Sequence, residues 1–224
     1  MGTLYLVRHG QASFGATDYD NLSSLGHQQA VRLGEYFKSK GWQFDGVLIG
    51  SLRRHAQTYA GICQGAGIEQ QALVWTGLNE YDSEAVVKAV HSEPLSTDRS
   101  LENYRHHFRL LKTGLAAWMS GSTQPVGMPS YPDFVEGITT ALDHVREKFA
   151  ANDKAKVLIV SSGGPISTAV GQVLGTSPET TIELNLRIRN SSVTEFAFTP
   201  KRHMLVTYNT LPHLEELPDW VTYA

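Results

Sequence analysis

One cysteine, Cys63, stands in 224 residues. An internal disulfide framework is therefore excluded, and the usage fits a reducing compartment; on a helical stretch this thiol reads as a small buried apolar side chain. No apolar run approaches the roughly 20 residues that span a bilayer. No basic region followed by a long apolar segment opens the chain, so no signal peptide is expected, and Met1-Gly2 lacks the Ser or Thr of a myristoylation start because Leu6 stands there. Charge of one sign is nowhere concentrated: 19 Lys and Arg against 22 Asp and Glu leave a net −3. Neither nucleic acid nor an anionic membrane is an expected partner, and an anionic ligand must be held by a local cluster. The nine histidines show no His-x-x-x-His or Cys-His spacing, and adjacent His106 and His107 point to different sides of a helix, so no metal is expected. No other cofactor is indicated. These absences predict a cytoplasmic protein.

What is present is an α/β alternation. With 41% hydrophobic residues the chain can bury one sizeable core, and residues 1–224 are expected to form a single domain. Leu4-Tyr5-Leu6-Val7, Gly46-Val47-Leu48-Ile49 and Val157-Leu158-Ile159-Val160 are short apolar runs that read as strands buried on both faces. A short third strand is expected within 71–75. Ser23 offers an N-cap for a helix whose inner face is Ala30, Leu33, Gly34 and Phe37, ended by Gly41. Ala56, Tyr59, Ala60 and Cys63 are expected on the inner face of the next helix. Tyr104, Phe108, Leu111, Leu115 and Trp118 form another stripe, the Gly/Ser/Pro-rich 120–132 a loop, and Ile138, Ala141, Leu142, Val145 and Phe149 a further helix. Pro165 suits a first helical turn, with Ile166, Ala169, Val170, Val173 and Leu174 on the apolar face. Alternating residues in 192–198 and 203–208 predict a hairpin-like pair, and the tail from Leu211 is expected to wrap the surface.

The polar residues gather where the strands end. Arg8 and His9 follow the first run, Arg53 and Arg54 the second, and Ser161-Ser162-Gly163-Gly164-Pro165 the third. Open α/β sheets hold ligands at the carboxyl ends of their strands. A guanidinium suits phosphate, an imidazole can be a neutral nucleophile, and the helix with Pro165 in its first turn aims free N–H groups at the same edge. The combination points to phosphoryl chemistry.

Taken together, Arg8-His9-Gly10, Leu22-Ser23-Ser24-Leu25-Gly26, Ser51 through Thr58, Leu78-Asn79-Glu80 and Ser161 through Pro165 make the chain similar to the histidine phosphatase superfamily, from Leu4 to about His213. The resemblance implies a three-layer α/β/α sandwich with a mixed, mostly parallel sheet and a helical insertion at about 81–132, placed to act as a lid or wall. It implies that His9 is the transiently phosphorylated nucleophile, with Arg8 and Arg54 as the phosphate clamp. Glu80 becomes the acid that protonates the leaving oxygen. Ser162, Gly163 and Ser13 join the phosphate-binding residues, and Arg53 is left a solvated neighbour. The family is metal-independent, and the expected partner is a phosphorylated small molecule or a phosphoprotein.

The chain departs from the family at Ser162, where a second histidine is usual. A hydroxyl keeps one donor but brings no positive charge, which leaves a catalytically impaired phosphate-binding pseudoenzyme as the alternative. His213, His55, His106 and His107 are candidate substitutes, each read as a surface histidine. Ala12, Gly15 and Tyr81 stand where mutases of the family carry substrate contacts, so hydrolysis is expected and mutase activity is not. Arg105, Arg109 and Lys112 read as a solvated helix face. A second alternative is a serine hydrolase using Ser162 with His213 and one of Glu179, Glu183 or Glu195; it leaves Arg8, His9 and Arg54 unexplained.

Overall fold

The computed structural model describes residues 1–13, 20–93 and 100–223. Six strands, β1 (Gly2–Arg8), β2 (Gly46–Ile49), β3 (Leu73–Val74), β4 (Lys156–Ser161), β5 (Val193–Phe198) and β6 (His203–Thr210), form one sheet in the order β3-β2-β4-β1-β5-β6. β3, β2, β4 and β1 run parallel, whereas β5 and β6 pair antiparallel at one side. Side chains alternate across this sheet with the period of two that a strand imposes. Tyr5, Val7, Val47, Ile49, Leu158 and Val160 meet Leu33 and Phe37 of α1 (Ser24–Ser39) and Tyr59 and Ile62 of α2 (Arg53–Ala66). Leu4, Leu6, Leu48, Val157 and Ile159 pack on the other face. That face is covered by α3 (Ser83–Lys88), α4 (Leu101–Met119), α5 (Tyr131–Phe149), α6 (Gly163–Leu174) and α7 (Pro178–Arg187). The result is a three-layer α/β/α fold, with β1 and β4 apolar on both sides because both sides are covered.

Local signals place the helices. Ser23 caps α1 by accepting from the Gly26 N–H, Ser130 caps α5, and Gly41 follows the end of α1 at φ +63°, a left-handed conformation that costs glycine little. Three expectations fail. On α2, Ala56 and Ala60 are exposed and Cys63 half-buried, while Arg54, His55, Thr58, Tyr59 and Ile62 face inward. The helix is turned because His55 and Thr58 find hydrogen-bond partners inside, at Ser162 Oγ and at the Gly10 N–H; apolar periodicity does not register buried polar groups. Tyr104 and Leu174 are exposed, lying towards the ends of α4 and α6 beyond the core. The tail does more than wrap the surface: Leu211, His213 and Leu214 are buried. The Gln29 amide donates to the Trp220 carbonyl at 2.7 Å.

Phe37 is fully buried between α1 and the sheet. Phe37→Ala should lower unfolding stability by about 3–5 kcal/mol, read as a drop in the urea midpoint at unchanged slope. Leu174→Ala should stay within about 0.5 kcal/mol; equal losses in both variants would show the core to be wrongly drawn.

Candidate active site

The carboxyl ends of β1, β2 and β4 converge on one buried group, the His9 imidazole. Arg8 ends β1 in register with Ser161 of β4. The His9 backbone then leaves the sheet, its N–H bonded to the Ser161 carbonyl at 2.9 Å and its own carbonyl held by the Ser191 N–H at 3.1 Å. The turn after it is tight: a Cβ on Gly10 would lie 2.4 Å from the Gly26 carbonyl oxygen. The Gly10 N–H donates to Thr58 Oγ1 at 3.1 Å. Thr58 thus ties the His9 turn to α2, and the close approach of Gly10 gives Gly26 a steric reason.

His9 Nδ1 lies 2.7 Å from the Gly10 carbonyl oxygen, which can only accept, so the ring proton sits on Nδ1 and Nε2 carries the lone pair. Arg54 Nε donates to that Nε2 at 3.2 Å. Burial, then the Arg8, Arg54 and His55 neighbours, hold the His9 pKa well below its ordinary value, so the ring is neutral at neutral pH. The Arg54 guanidinium is steadied by Asp20, 2.9 Å from Nη1. Asp20 also accepts from the N–H groups of Arg53 and Arg54 at the start of α2. Arg8 donates Nη1 to the Ile188 carbonyl at 2.6 Å and to the Tyr223 carbonyl in the C-terminal tail.

Glu80 reaches the site from the opposite side. Asn79 braces it by clamping Ser51 through two bonds of 2.7 Å. Ser161 Oγ adds a bond of 2.7 Å to the Leu78 carbonyl. The Glu80 carboxyl sits on the N-terminus of α6, accepting from the Gly164 N–H at 3.0 and 3.2 Å and from its neighbour Tyr81 at 3.2 Å. A Cβ on Gly164 would stand 2.2 Å from Glu80 Oε1. Burial outweighs these hydrogen bonds and the nearby arginines and raises the Glu80 pKa. The Gly164 N–H, read from sequence as part of a free anion site, is therefore already taken by a side chain of the same protein; Gly163 lies beside it, close to Asn185 and Ile188.

Ser162, the N-cap of α6, is wholly buried, and His55 Nε2 is 2.7 Å from its Oγ. His55 is therefore no surface histidine. His213 is none either: it is buried on Ser191 Oγ at 2.9 Å, so it does not face Ser162 as the serine-hydrolase alternative requires. His106 lies against His91, and His107 against Phe108. Ser13 is half-buried and bonded through its N–H to Asn21, while Gly15 lies outside the described residues. Arg53 is exposed and reaches Asn21 Oδ1. Arg105 and Arg109 are exposed on α4, and Lys112 pairs with Glu183. Among the described residues no three His, Cys, Asp or Glu side chains gather where they could hold a metal ion, and no helix is long and apolar enough to cross a membrane. Sequence reasoning missed Asp20, whose only signal was its position before the Leu22 to Gly26 motif, and the tail carbonyl of Tyr223, which had none.

A family model described as histidine phosphatase superfamily (branch 1) matches residues 4–211. Phosphoserine phosphatase from Entamoeba histolytica, solved with 3-phosphoglyceric acid, is similar at 21% identity and TM-score 0.64, over 96% of this chain and 100% of that one. A mycobacterial glucosyl-3-phosphoglycerate phosphatase is similar at 20% and 0.64, over 93% and 98%. A phosphoglycerate mutase from Bacillus anthracis is similar at 19% and 0.66, over 95% and 94%. At these identities the likenesses show the fold. No curated protein matches the sequence.

His9, His55 and His213 are held neutral by burial, the last two at pKa values of about 3. Because the folded values lie below the unfolded value of about 6.5, the unfolded chain takes up protons first as the pH falls. The stability contributed is full above that value and is lost below it, by up to about 1.4 kcal/mol per histidine per pH unit. Urea midpoints should therefore fall steeply between pH 7 and pH 5, and a flat profile would contradict the buried neutral histidines.

Proposed function

The chain belongs to the histidine phosphatase superfamily, branch 1, and from this premise we propose that it hydrolyses phosphomonoesters through a phosphohistidine formed on His9. The observation that carries this reading is the His9 ring itself, protonated on Nδ1 by its bond to Gly10, with Nε2 facing Arg54 and with Arg8 near enough to disfavour a charged ring. A neutral nitrogen lone pair among cations is what attack on an anionic phosphoryl group needs.

In this mechanism the phosphoryl group enters between Arg8, Arg54 and His9, with Ser162, Gly163 and Ser13 as further donors. Arg54 turns its N–H groups from Nε2 to the equatorial oxygens, and the bond from Nε2 to phosphorus forms as the bond to the ester oxygen breaks. Glu80, whose pKa burial raises, gives its proton to the departing oxygen. Water then attacks the phosphohistidine, the Glu80 carboxylate takes the water proton, and phosphate leaves with Nε2 free again. No step needs a metal or another cofactor. Tyr81, whose hydroxyl accepts from Asn185 Nδ2 at 2.8 Å, supplies no cation next to the acid, and Ala12 offers no polar contact; both support hydrolysis over phosphoryl transfer between sugar-acid positions. The reading also takes the chain as a cytoplasmic, single-domain protein with an insertion at about 81–132. A phosphorylated small molecule and a phosphoprotein remain the two substrate classes.

Turnover of an aryl phosphate without added metal should fall to background in His9→Ala; wild type at that same background, with inorganic phosphate still bound, would make the chain a phosphate-binding pseudoenzyme. Glu80→Gln should lower kcat/KM, which covers phosphorylation of His9, by about 10²–10⁴-fold for alkyl phosphates and much less for aryl phosphates, whose leaving groups need no proton. The pH profile should be a bell: activity falls on the acid side as Nε2 of His9 takes a proton and on the alkaline side as Glu80 loses one, and Glu80→Gln should remove the alkaline limb.

A further inference from the structure

On one face of the sheet α1 and α2 pack over β1, β2 and β4. Beside β5 and β6, among the described residues, that face carries the tail from Leu211 instead of a helix. The tail does not lie flush against α1, and a cavity of about 660 Å³ is left between them, a size that takes a small organic molecule. None of Arg8, His9, Arg54, Glu80 or Ser162 lines it. The cavity therefore stands apart from the phosphatase reading.

Its wall is aromatic and its charge is negative. Trp42 stacks on Tyr5 and Phe37, with ring centroids 4.6 and 5.4 Å apart, and meets Tyr36 edge-on at 5.9 Å. Trp42 is only half-buried, so part of its ring is open to the cavity. Tyr36 already carries a cation of the protein itself, Lys40 Nζ at 5.3 Å from the ring centroid. Glu195 of β5 stands in register with Tyr5 of β1 and is half-buried on the same wall. Among the described residues no hydrogen bond or ion pair reaches its carboxylate, and burial alone pushes its pKa up. Glu215 adds a second, exposed carboxylate at the rim. Arg189 lines the cavity too, but its guanidinium is spent on Asn209, Nη2 donating to the carbonyl and Nε to Oδ1 at 3.4 Å. Burial, then Glu195 and Tyr36, hold the Tyr5 pKa up at about 12, so that phenol is neutral. A desolvated carboxylate without a partner is costly, and a cation removes the cost; aromatic walls attract cations as well. An anion would meet two carboxylates, and an uncharged molecule would bury Glu195 further without pairing it. We propose that this cavity binds an organic ammonium ion with an apolar or aryl body, the ammonium group on Glu195 and the body against Trp42.

Titration with benzylammonium, followed by NMR at the indole N–H signals, tests this. The Trp42 signal, assigned by its loss in Trp42→Phe, should shift saturably, while those of Trp75 and Trp118, packed on the opposite face of the sheet, stay in place. Benzyl alcohol and benzoate present the same body without the cation and should bind at least about tenfold more weakly. Glu195→Gln keeps the shape of the side chain and removes its charge. It should weaken benzylammonium by about tenfold or more and leave the affinity for benzyl alcohol unchanged, with unfolding midpoints reporting the fold. Should that variant unfold, the three probes on the wild-type protein decide alone. The site is overturned by a Trp42 signal that does not move with benzylammonium, or by Trp75 and Trp118 moving with it, which is adsorption without a site. Benzyl alcohol or benzoate binding as tightly as benzylammonium overturns the choice of a cation, as does folded Glu195→Gln with unchanged affinity.

Discussion

The organisation of the site depends on keeping one buried imidazole neutral and unprotonated at Nε2 beside two arginines. Burial does most of this, Arg8 and Arg54 add to it, and the Gly10 carbonyl selects the tautomer. Each of these depends on backbone that must not move. Parallel β1 and β4 bring Arg8 opposite Ser161, Thr58 ties the Gly10 turn to α2, and Asp20 holds both the start of α2 and the Arg54 guanidinium. The cations would repel one another in an empty site, and their mutual cost is lowered by carboxylate and carbonyl partners. Asp20 does this for Arg54, and Ile188 and Tyr223 do it for Arg8.

Glu80 illustrates how one environment can set opposite protonation states for neighbouring groups. The same burial that lowers the His9 pKa raises that of Glu80, because desolvation disfavours whichever form is charged. Desolvation thus favours the neutral form of a base and of an acid in one buried site, the pairing on which the proposed attack on phosphorus relies. The N-terminus of α6 receives the Glu80 carboxyl through Gly164. The paired glycines of the Ser-Ser-Gly-Gly segment accordingly have a steric reason that stands before any ligand is considered.

Much of the fold was legible in the residues because its causes are local or periodic. Buried apolar runs, the Ser23 cap and the glycine ends place β1, β2, β4 and α1, and Arg8, His9, Arg54 and Glu80 fall together as the motifs imply. Legibility ended where a polar residue was buried for a partner far along the chain. His55 faces Ser162 across 107 residues, Arg8 meets the tail at Tyr223 across 215, and Asp20 meets Arg54 of α2 across 34. The sequence by itself determined the alternating elements and the chemistry offered at the strand ends, since propensity and periodicity act over a few residues. Only the tertiary structure decided which face α2 turns inward, what occupies the N-terminus of α6 and which histidine stands behind Ser162. Those outcomes depend on pairing buried donors with acceptors, and a buried donor's partner is fixed by packing rather than by its neighbours in the chain.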